Sequence, residues 1–145
     1  RLSNAAAHQV DAVSGCAMLV RREAFETAGL FDEAFFFSFE DIEFCLRARR
    51  KGFDVLCVPD AVAYHEGGRS IGRTSADRVY FAARNHLRLA RMADAKHRAP
   101  WLRGGLIVGL NVAYVLLSGE TPRLRGFAAL ARGVWHHLGE RYGPA

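Results

Sequence analysis

The 145-residue sequence contains only three Cys and four Pro, so it has few residues that cross-link or interrupt a chain. Cys16, Cys45 and Cys57 lie far apart, with no CxxC pair and no nearby His at metal-ligand spacing. They therefore indicate neither a disulfide framework nor a zinc finger, and a reducing environment is the default expectation. No secretory signal pattern follows Arg1, and because the sequence does not begin with Met, we expect its true beginning to be missing.

Long hydrophobic runs are also absent. The longest, residues 106–117 (LIVGLNVAYVLL), has twelve residues, interrupted by Gly109 and Asn111. Crossing a bilayer takes about 20 apolar residues, so this run is predicted to be too short. It fits either a membrane-associated segment or a buried core helix. The composition, 50% hydrophobic and 24% charged, excludes a disordered or collagen-like chain.

Acidic residues are scarce in the second half of the sequence. Residues 1–68 carry seven Lys or Arg against eleven Asp or Glu, a net charge of −4. Residues 69–145 carry thirteen against four, a net charge of +9. Such a contrast predicts an anionic partner for the basic half, either nucleic acid or anionic lipid.

Hydrophobic periodicity and turn residues predict an α/β chain with a basic helical tail. The predicted strands are residues 13–20, 53–58 and 61–65, and the predicted helices are residues 22–28, 40–51, 78–92 and 123–138. Residues 30–39 form an aromatic-rich loop without strand or helix period, which must be packed against other elements. The helix at 123–138 has arginines opposite its apolar face, as in helices that lie on a membrane surface.

Two carboxyl groups at a predicted helix start are the first candidates for chemistry. Glu40 and Asp41 would lie where backbone N–H groups and the helix dipole favour an ionised acid, so one of them could act as a general base. The alternative is that both acids only favour the first turn of the helix, as acids commonly do.

Two further candidates follow from position in predicted strands. His65 ends a predicted strand before Glu66-Gly67-Gly68, where a neutral imidazole could bind a divalent metal, although a lone His is more often structural. Ser14-Gly15-Cys16 places a glycine at a strand entrance, which allows a substrate to approach the backbone closely.

Taken in order, these motifs resemble a known enzyme family. The run from VSGCAMLVRR through FEDIEFCLRARRKG to AVAYHEGGRS is similar to the C-terminal, acceptor-side half of the catalytic domain of glycosyltransferase family 2, of the rhamnosyltransferase-like kind. The similarity covers residues 13–92. It implies the GT-A fold, with a small mixed sheet and flanking helices, and inverting transfer of a sugar from a nucleotide-diphosphate donor.

The resemblance also implies roles for individual residues. Asp41 matches the general base of the ED motif, and Glu40 would contact the acceptor or orient that base. Ser14, Gly15 and Cys16 match a segment that lines the acceptor and donor-sugar pocket. His65 matches a His that in some members completes the coordination of a divalent metal, Mg or Mn. Arg47 matches an Arg that braces the ED helix, and Arg84-Asn85 match a recurrent pair of unassigned role.

Two departures from the family pattern stand out. Glu43 replaces the second Asp of EDxD, which keeps the charge. No DxD triplet and no Gly-rich nucleotide-binding unit occur in the 145 residues. The donor site is therefore expected to lie outside this sequence, either because the sequence is a fragment of a longer transferase or because it is a remnant or subunit without complete catalysis.

The expected organisation is an acceptor-binding part of a GT-A domain at residues 1–92 and an amphipathic helical tail at residues 93–145. The expected partners are a nucleotide sugar, a glycan or lipid-linked acceptor, and an anionic membrane surface. The expected location is cytoplasmic, peripheral to the inner face of the cell membrane. A nucleic-acid-binding module is disfavoured because the aromatic residues cluster in the acidic half instead of on the basic face.

Overall fold

A computed structural model describes residues 6–66, 71–72, 75–93 and 100–144 of the chain. The elements in order are β1 (His8–Gln9), α1 (Arg22–Ala28), α2 (Glu40–Arg50), β2 (Leu56–Cys57), α3 (Ala76–Ala93), α4 (Pro100–Leu117) and α5 (Arg123–Leu138). They form two compact units. The first combines Arg1–Glu33 with Glu40–Glu66, and the second combines Ala34–Phe39 with Gly67–Ala145.

The sheet of the first unit is smaller than predicted. β1 and β2 pair antiparallel, with His8 opposite Cys57, so the sheet has two strands and is not mixed. The predicted strand at 53–58 is reduced to β2. The predicted strands at 13–20 and 61–65 are wrong: Gly15–Ala17 forms a 3₁₀ turn, and residues 61–65 are exposed coil. A strand requires a hydrogen-bonded neighbour, and no other described segment pairs with either run.

Helices α1 and α2 form the core of the first unit, close to the predicted ranges. Acids fill the first turn of α2 and arginines fill its last, which complements the helix dipole. Helix α1 ends at Gly29, which adopts a φ of 84° and donates its N–H to the Phe25 carbonyl at 2.8 Å. The core between the two helices combines small and aromatic side chains: Ala24, Phe25, Phe44 and Ala48.

Helices α3, α4 and α5 pack together in the second unit. The basic helix predicted at 78–92 is α3, and the helix predicted at 123–138 is α5. The buried core combines Val79, Tyr80, Phe81 and Ala83 of α3 with Val115 of α4 and Ala129 and Leu130 of α5. One arginine of α3 is buried: Arg84 is 1% exposed, although arginine side chains mostly lie at the surface.

Helix α4 is longer than the apolar run that predicted it. It begins at Pro100, which suits a first helical turn because proline lacks only an N–H that would be unpaired there. The resulting 18-residue helix is long and apolar enough to cross a membrane by length and composition alone, so the prediction that this segment is too short is wrong. Only Ile107 and Val115 of α4 are buried, which does not fit a buried core helix.

Candidate functional site

Asp41 lies in the first turn of α2 and is held by two backbone N–H groups. Its Oδ2 accepts a hydrogen bond from the Gly15 N–H at 2.7 Å, and its Oδ1 accepts one from the Ile42 N–H at 2.8 Å. The carboxylate is thus oriented by groups from two segments that are 26 residues apart in sequence. A carboxylate held in a fixed orientation can serve as a general base toward a nearby hydroxyl.

Gly15 packs directly against Asp41. A Cβ added to Gly15 would lie 3.2 Å from the Asp41 Cβ and 3.4 Å from Oδ2, closer than ordinary van der Waals contact. Ser14 and Cys16 flank the glycine with exposed side chains, their Oγ and Sγ atoms 3.1 Å apart. The structure therefore brings Ser14-Gly15-Cys16 together with Asp41, and a glycine at this position leaves room for the carboxylate.

Glu40 precedes Asp41 in a half-buried position. Burial raises the pKa of the Glu40 carboxyl, the backbone hydrogen bond lowers it, and the neighbouring charge of Asp41 raises it further. Its Oε2 atom is buried and accepts no hydrogen bond from the described part of the chain. Glu40 thus presents a carboxyl that holds its proton to higher pH than an exposed glutamate does.

Arg47 links α2 to the end of α1. Its guanidinium donates to Glu43 Oε1 at 2.9 Å and Oε2 at 2.8 Å, to the Leu30 carbonyl at 2.8 Å, and to the Ala28 carbonyl. The hydrogen bonding of the guanidinium to the Glu43 carboxylate is the main cause that raises the pKa of Arg47. The contacts of Arg47 therefore connect the two helices of the first unit.

Glu43 has a structural role that the sequence motif alone does not assign. It stands at the second acidic position of the EDxD pattern, but its side chain is only 3% exposed and is paired with Arg47. The signal was present in the sequence, since an acid and an arginine four residues apart on a helix commonly form an ion pair. The acidic character at this position therefore serves the ion pair.

His65 lies in exposed coil after β2, and Gly67 and Gly68 of the same motif fall outside the described residues. Within the described ranges, no three His, Cys, Asp or Glu side chains form a group that could hold a metal ion. His65 therefore belongs to no such group in the part of the chain that the structure describes.

The aromatic loop of the second unit is fixed by Asn85, a contact that sequence reasoning did not assign. The Asn85 Nδ2 donates to the carbonyls of Phe35 at 2.5 Å, Phe37 at 2.6 Å and Ser38 at 3.1 Å. Arg84 donates to the Ala34 carbonyl at 3.3 Å and to the Tyr80 hydroxyl at 3.0 Å. The prediction that this loop is packed is confirmed.

The same loop has an unusual backbone. Phe36, Ser38 and Phe39 adopt φ values of 52°, 66° and 73°, in the left-handed region that non-glycine residues rarely occupy. The Phe39 ring stacks on His86, with ring centroids 5.0 Å apart. Burial and the charge of Arg103 lower the pKa of His86, so the ring stacked on Phe39 favours its neutral form. Strained backbone of this kind persists only where surrounding contacts hold it.

The geometry of the first unit defines a candidate proton-accepting site: a carboxylate held by two N–H groups beside a glycine turn, with a second, half-buried carboxyl next to it. The family described as "Glycosyltransferase like family 2" matches residues 1–95. The chain belongs to this family, whose α/β domain agrees with the elements of the first unit.

Two curated relatives give the comparison more detail. An N-acetylglucosaminyl-diphospho-decaprenol L-rhamnosyltransferase of Mycobacterium tuberculosis is 35% identical over 101 residues, covering 65% of this chain and 32% of the relative. The low-salt glycan biosynthesis hexosyltransferase Agl10 of Haloferax volcanii is 41% identical over 46 residues, covering 32% of this chain and 15% of the relative. The chain thus spans about a third or less of their lengths. No solved structure matches it.

Proposed function

We propose that the chain is the acceptor-side part of an inverting glycosyltransferase, in which Asp41 is the general base. The observation that carries the proposal is the hydrogen bond from the Gly15 N–H to Asp41 Oδ2, at 2.7 Å. It joins two motifs that family resemblance assigns to one site. Residues 1–92 would supply acceptor binding, and a donor-binding half would lie outside this sequence.

In the proposed reaction, Asp41 takes the proton from an acceptor hydroxyl while that oxygen attacks the anomeric carbon of the donor sugar. The bond between that carbon and the diphosphate oxygen breaks, and the leaving nucleoside diphosphate keeps the electron pair. Attack from the face opposite the leaving group inverts the anomeric carbon. The N–H donors of Gly15 and Ile42 hold the carboxylate in the orientation that receives the proton.

Glu40 would act on the acceptor in a different way. Its Oε2 has no hydrogen-bond partner among the described residues, and burial raises the pKa of its carboxyl. A protonated carboxyl can donate one hydrogen bond and accept another. We propose that Glu40 orients the acceptor. The exposed side chains of Ser14 and Cys16 would border the acceptor site.

The donor is proposed to be a nucleotide-diphosphate sugar, with a divalent metal, Mg or Mn, on the diphosphate. The described residues do not fit a complete metal site, so no step is derived through a metal. His65 is retained as a proposed single ligand because it matches the family motif and its imidazole is exposed.

The acceptor is proposed to be a lipid-linked glycan. One relative's name specifies rhamnose transfer to a diphospho-decaprenol carrier, and the other's specifies hexose transfer in glycan biosynthesis. A lipid-linked acceptor would place the enzyme at the cytoplasmic face of the cell membrane.

Replacement of the base tests the proposal. We expect Asp41→Asn to keep the fold, because Asn can still accept the Gly15 hydrogen bond, and to slow sugar transfer by about 10²–10⁴-fold. The measurement is single-turnover transfer by the full chain together with its donor-binding half, with circular dichroism to verify folding. Asp60→Asn, in the exposed turn after β2, is the matched control and should leave transfer unchanged.

Unchanged transfer by Asp41→Asn would refute the assignment of the base. Retention of the anomeric configuration in the product would refute the inverting mechanism. Absence of donor-dependent transfer by the wild-type protein would instead favour a non-catalytic subunit.

A further inference from the structure

Helix α5 packs mainly with its small residues and exposes most of its large apolar ones. Its buried residues are Gly126, Ala129, Leu130 and Gly133. The exposed large apolar side chains are Leu124, Phe127, Trp135 and Leu138, and three of them are more than two-thirds exposed. This arrangement reverses that of a helix of a water-soluble core, which buries its large apolar face.

Close contact between helices fixes this orientation. A Cβ on Gly133 would lie 2.6 Å from the Tyr80 carbonyl oxygen of α3, and a Cβ on Gly126 would lie 2.7 Å from Val115 Cγ1 of α4. Both distances are shorter than any real Cβ contact. The glycine face of α5 must therefore point toward α3 and α4, and its stripe of Leu124, Phe127, Trp135 and Leu138 faces away from them.

Helix α4 adds a second exposed apolar surface in the same unit. Five of its large apolar side chains are more than 55% exposed: Trp101, Leu102, Leu106, Leu110 and Leu117. Exposed apolar residues at this density on neighbouring helices mark an interaction surface.

The charged side chains carried by α4 and α5 themselves have one sign. Helices α4 and α5 contain no Asp or Glu, but they carry Arg103, Arg123, Arg125 and Arg132. Arg123 and Arg125 are exposed at the start of α5 on either side of Leu124. Exposed Leu, Phe and Trp bordered by arginines match the boundary between the headgroups and acyl chains of an anionic bilayer.

We propose that the exposed apolar faces of α4 and α5 form a docking surface for an anionic lipid bilayer, on which the helices lie without crossing it. Ile107 packs on Leu87 and Ala90, and Val115 packs in the cluster that contains Val79, so α4 runs alongside α3. If α4 crossed the bilayer, it would either separate from α3 or carry the charged residues of α3 into the hydrocarbon. The second outcome is costly. This inference goes beyond the proposed sugar transfer and does not depend on it.

Vesicle flotation of the full chain tests the docking surface. Wild-type protein should float with vesicles of phosphatidylcholine and phosphatidylglycerol and much less with pure phosphatidylcholine. Arg123→Gln combined with Arg125→Gln should weaken partitioning by about tenfold or more, because each arginine near an anionic surface strengthens binding several-fold. Arg21→Gln combined with Arg22→Gln, on the exposed start of α1, is the matched charge control and should change little.

The apolar contribution is tested by Leu124→Ser, Trp135→Ser and Leu138→Ser together. This variant should partition at least about tenfold more weakly, because each large side chain adds apolar area buried in the bilayer. Leu19→Ser with Tyr64→Ser, both 100% exposed in the first unit, is the matched control. Equal loss in test and control variants would overturn the proposal.

Three other results would also overturn it. Equal flotation with anionic and neutral vesicles would show that the arginines do not contribute to binding. Resistance of the bound protein to extraction at alkaline pH would show a spanning helix in place of a surface-bound pair. Self-association in the absence of lipid that the α5 variants abolish would show that a second copy of the chain covers this surface.

Discussion

Glu40 and Asp41 are adjacent in the sequence but have different surroundings in the structure. Asp41 accepts two backbone hydrogen bonds, whereas Glu40 Oε2 is buried without a partner among the described residues. Burial disfavours the ionised form of Glu40 and raises its pKa. The two neighbouring carboxyl groups therefore differ in burial and in hydrogen bonding, which suits two different roles at one site.

The raised pKa of Glu40 predicts a pH-dependent stability difference. The folded state binds the Glu40 proton more tightly than the unfolded state, so this carboxyl lowers the free energy of unfolding as pH rises above its ordinary value of about 4.3. Glu40→Gln removes that effect. The variant should therefore be more stable than the wild type at pH 7, and the difference should shrink toward pH 4.

Urea unfolding between pH 4 and pH 8 measures this difference. Glu26→Gln, an exposed substitution on α1, is the control and should not show the same pH trend. A variant that is less stable than the wild type at pH 7 would contradict the argument, because it would mean that the ionised carboxylate has a stabilising partner.

Asn85 is a buried polar side chain that holds the aromatic loop of the second unit. It is 0% exposed, donates to three loop carbonyls, and accepts from the Arg84 Nε at 3.0 Å. Its contacts hold a loop in which three non-glycine residues have positive φ. No other side-chain type of this size supplies both the donors and the acceptor.

We expect Asn85→Ala to destabilise the chain by about 2–4 kcal/mol, because it removes the donor to three loop carbonyls and the acceptor of the Arg84 Nε. Asn111→Ala is the matched control: the Asn111 amide bonds only the Ile107 carbonyl of its own helix, and alanine is a better helix former. Chemical denaturation of both variants checks the prediction. A cost for Asn85→Ala no larger than that of the control would contradict the role assigned to Asn85.

Among the helices, the packing of α5 on α3 depends on a close approach of the two backbones. Gly133 lies against the Tyr80 carbonyl and Ala83, so even a methyl group at this position displaces the helix. Gly105 on α4 has no atom within 4 Å of an added Cβ. Close packing therefore requires a glycine at position 133 but not at position 105.

We expect Gly133→Ala to lower the free energy of unfolding by about 1–3 kcal/mol through overpacking. Gly105→Ala should raise it by up to about 1 kcal/mol, because alanine favours the helix and meets no neighbour. Thermal unfolding of the pair gives the sign directly. Stabilisation by both substitutions would contradict the tight contact between α5 and α3.

At the scale of the whole molecule, the uneven charge has a structural counterpart. The net charge of +9 in residues 69–145 predicts an anionic partner, but Arg84 is buried and bonds the aromatic loop, so it does not contribute to a basic surface. Arg123 and Arg125 are exposed beside apolar side chains. The charge asymmetry therefore favours binding at an anionic bilayer, and that binding should weaken as salt screens it.

Local signals in the sequence determined the helices, and the ordered motifs determined the family. The local signals are the acids at the start of α2, the arginines at its end and the glycine after α1. Each signal acts on backbone a few residues away, so it can be recognised without tertiary contacts. The close packing of Gly15 on Asp41 was not visible in the sequence, and the expected approach of a substrate to Gly15 stays a prediction. The role of His65 stays a prediction.

Only the tertiary structure decided the strands, the Glu43–Arg47 pair and the outward face of α5. Strands depend on partners distant in sequence, so apolar runs at 13–20 and 61–65 did not become strands where no described segment pairs with them. Periodicity shows that α5 has an apolar stripe but not which face is buried. The close contacts at Gly126 and Gly133 show that the glycine face is the buried one. A glycine face permits a helix contact that large side chains would prevent.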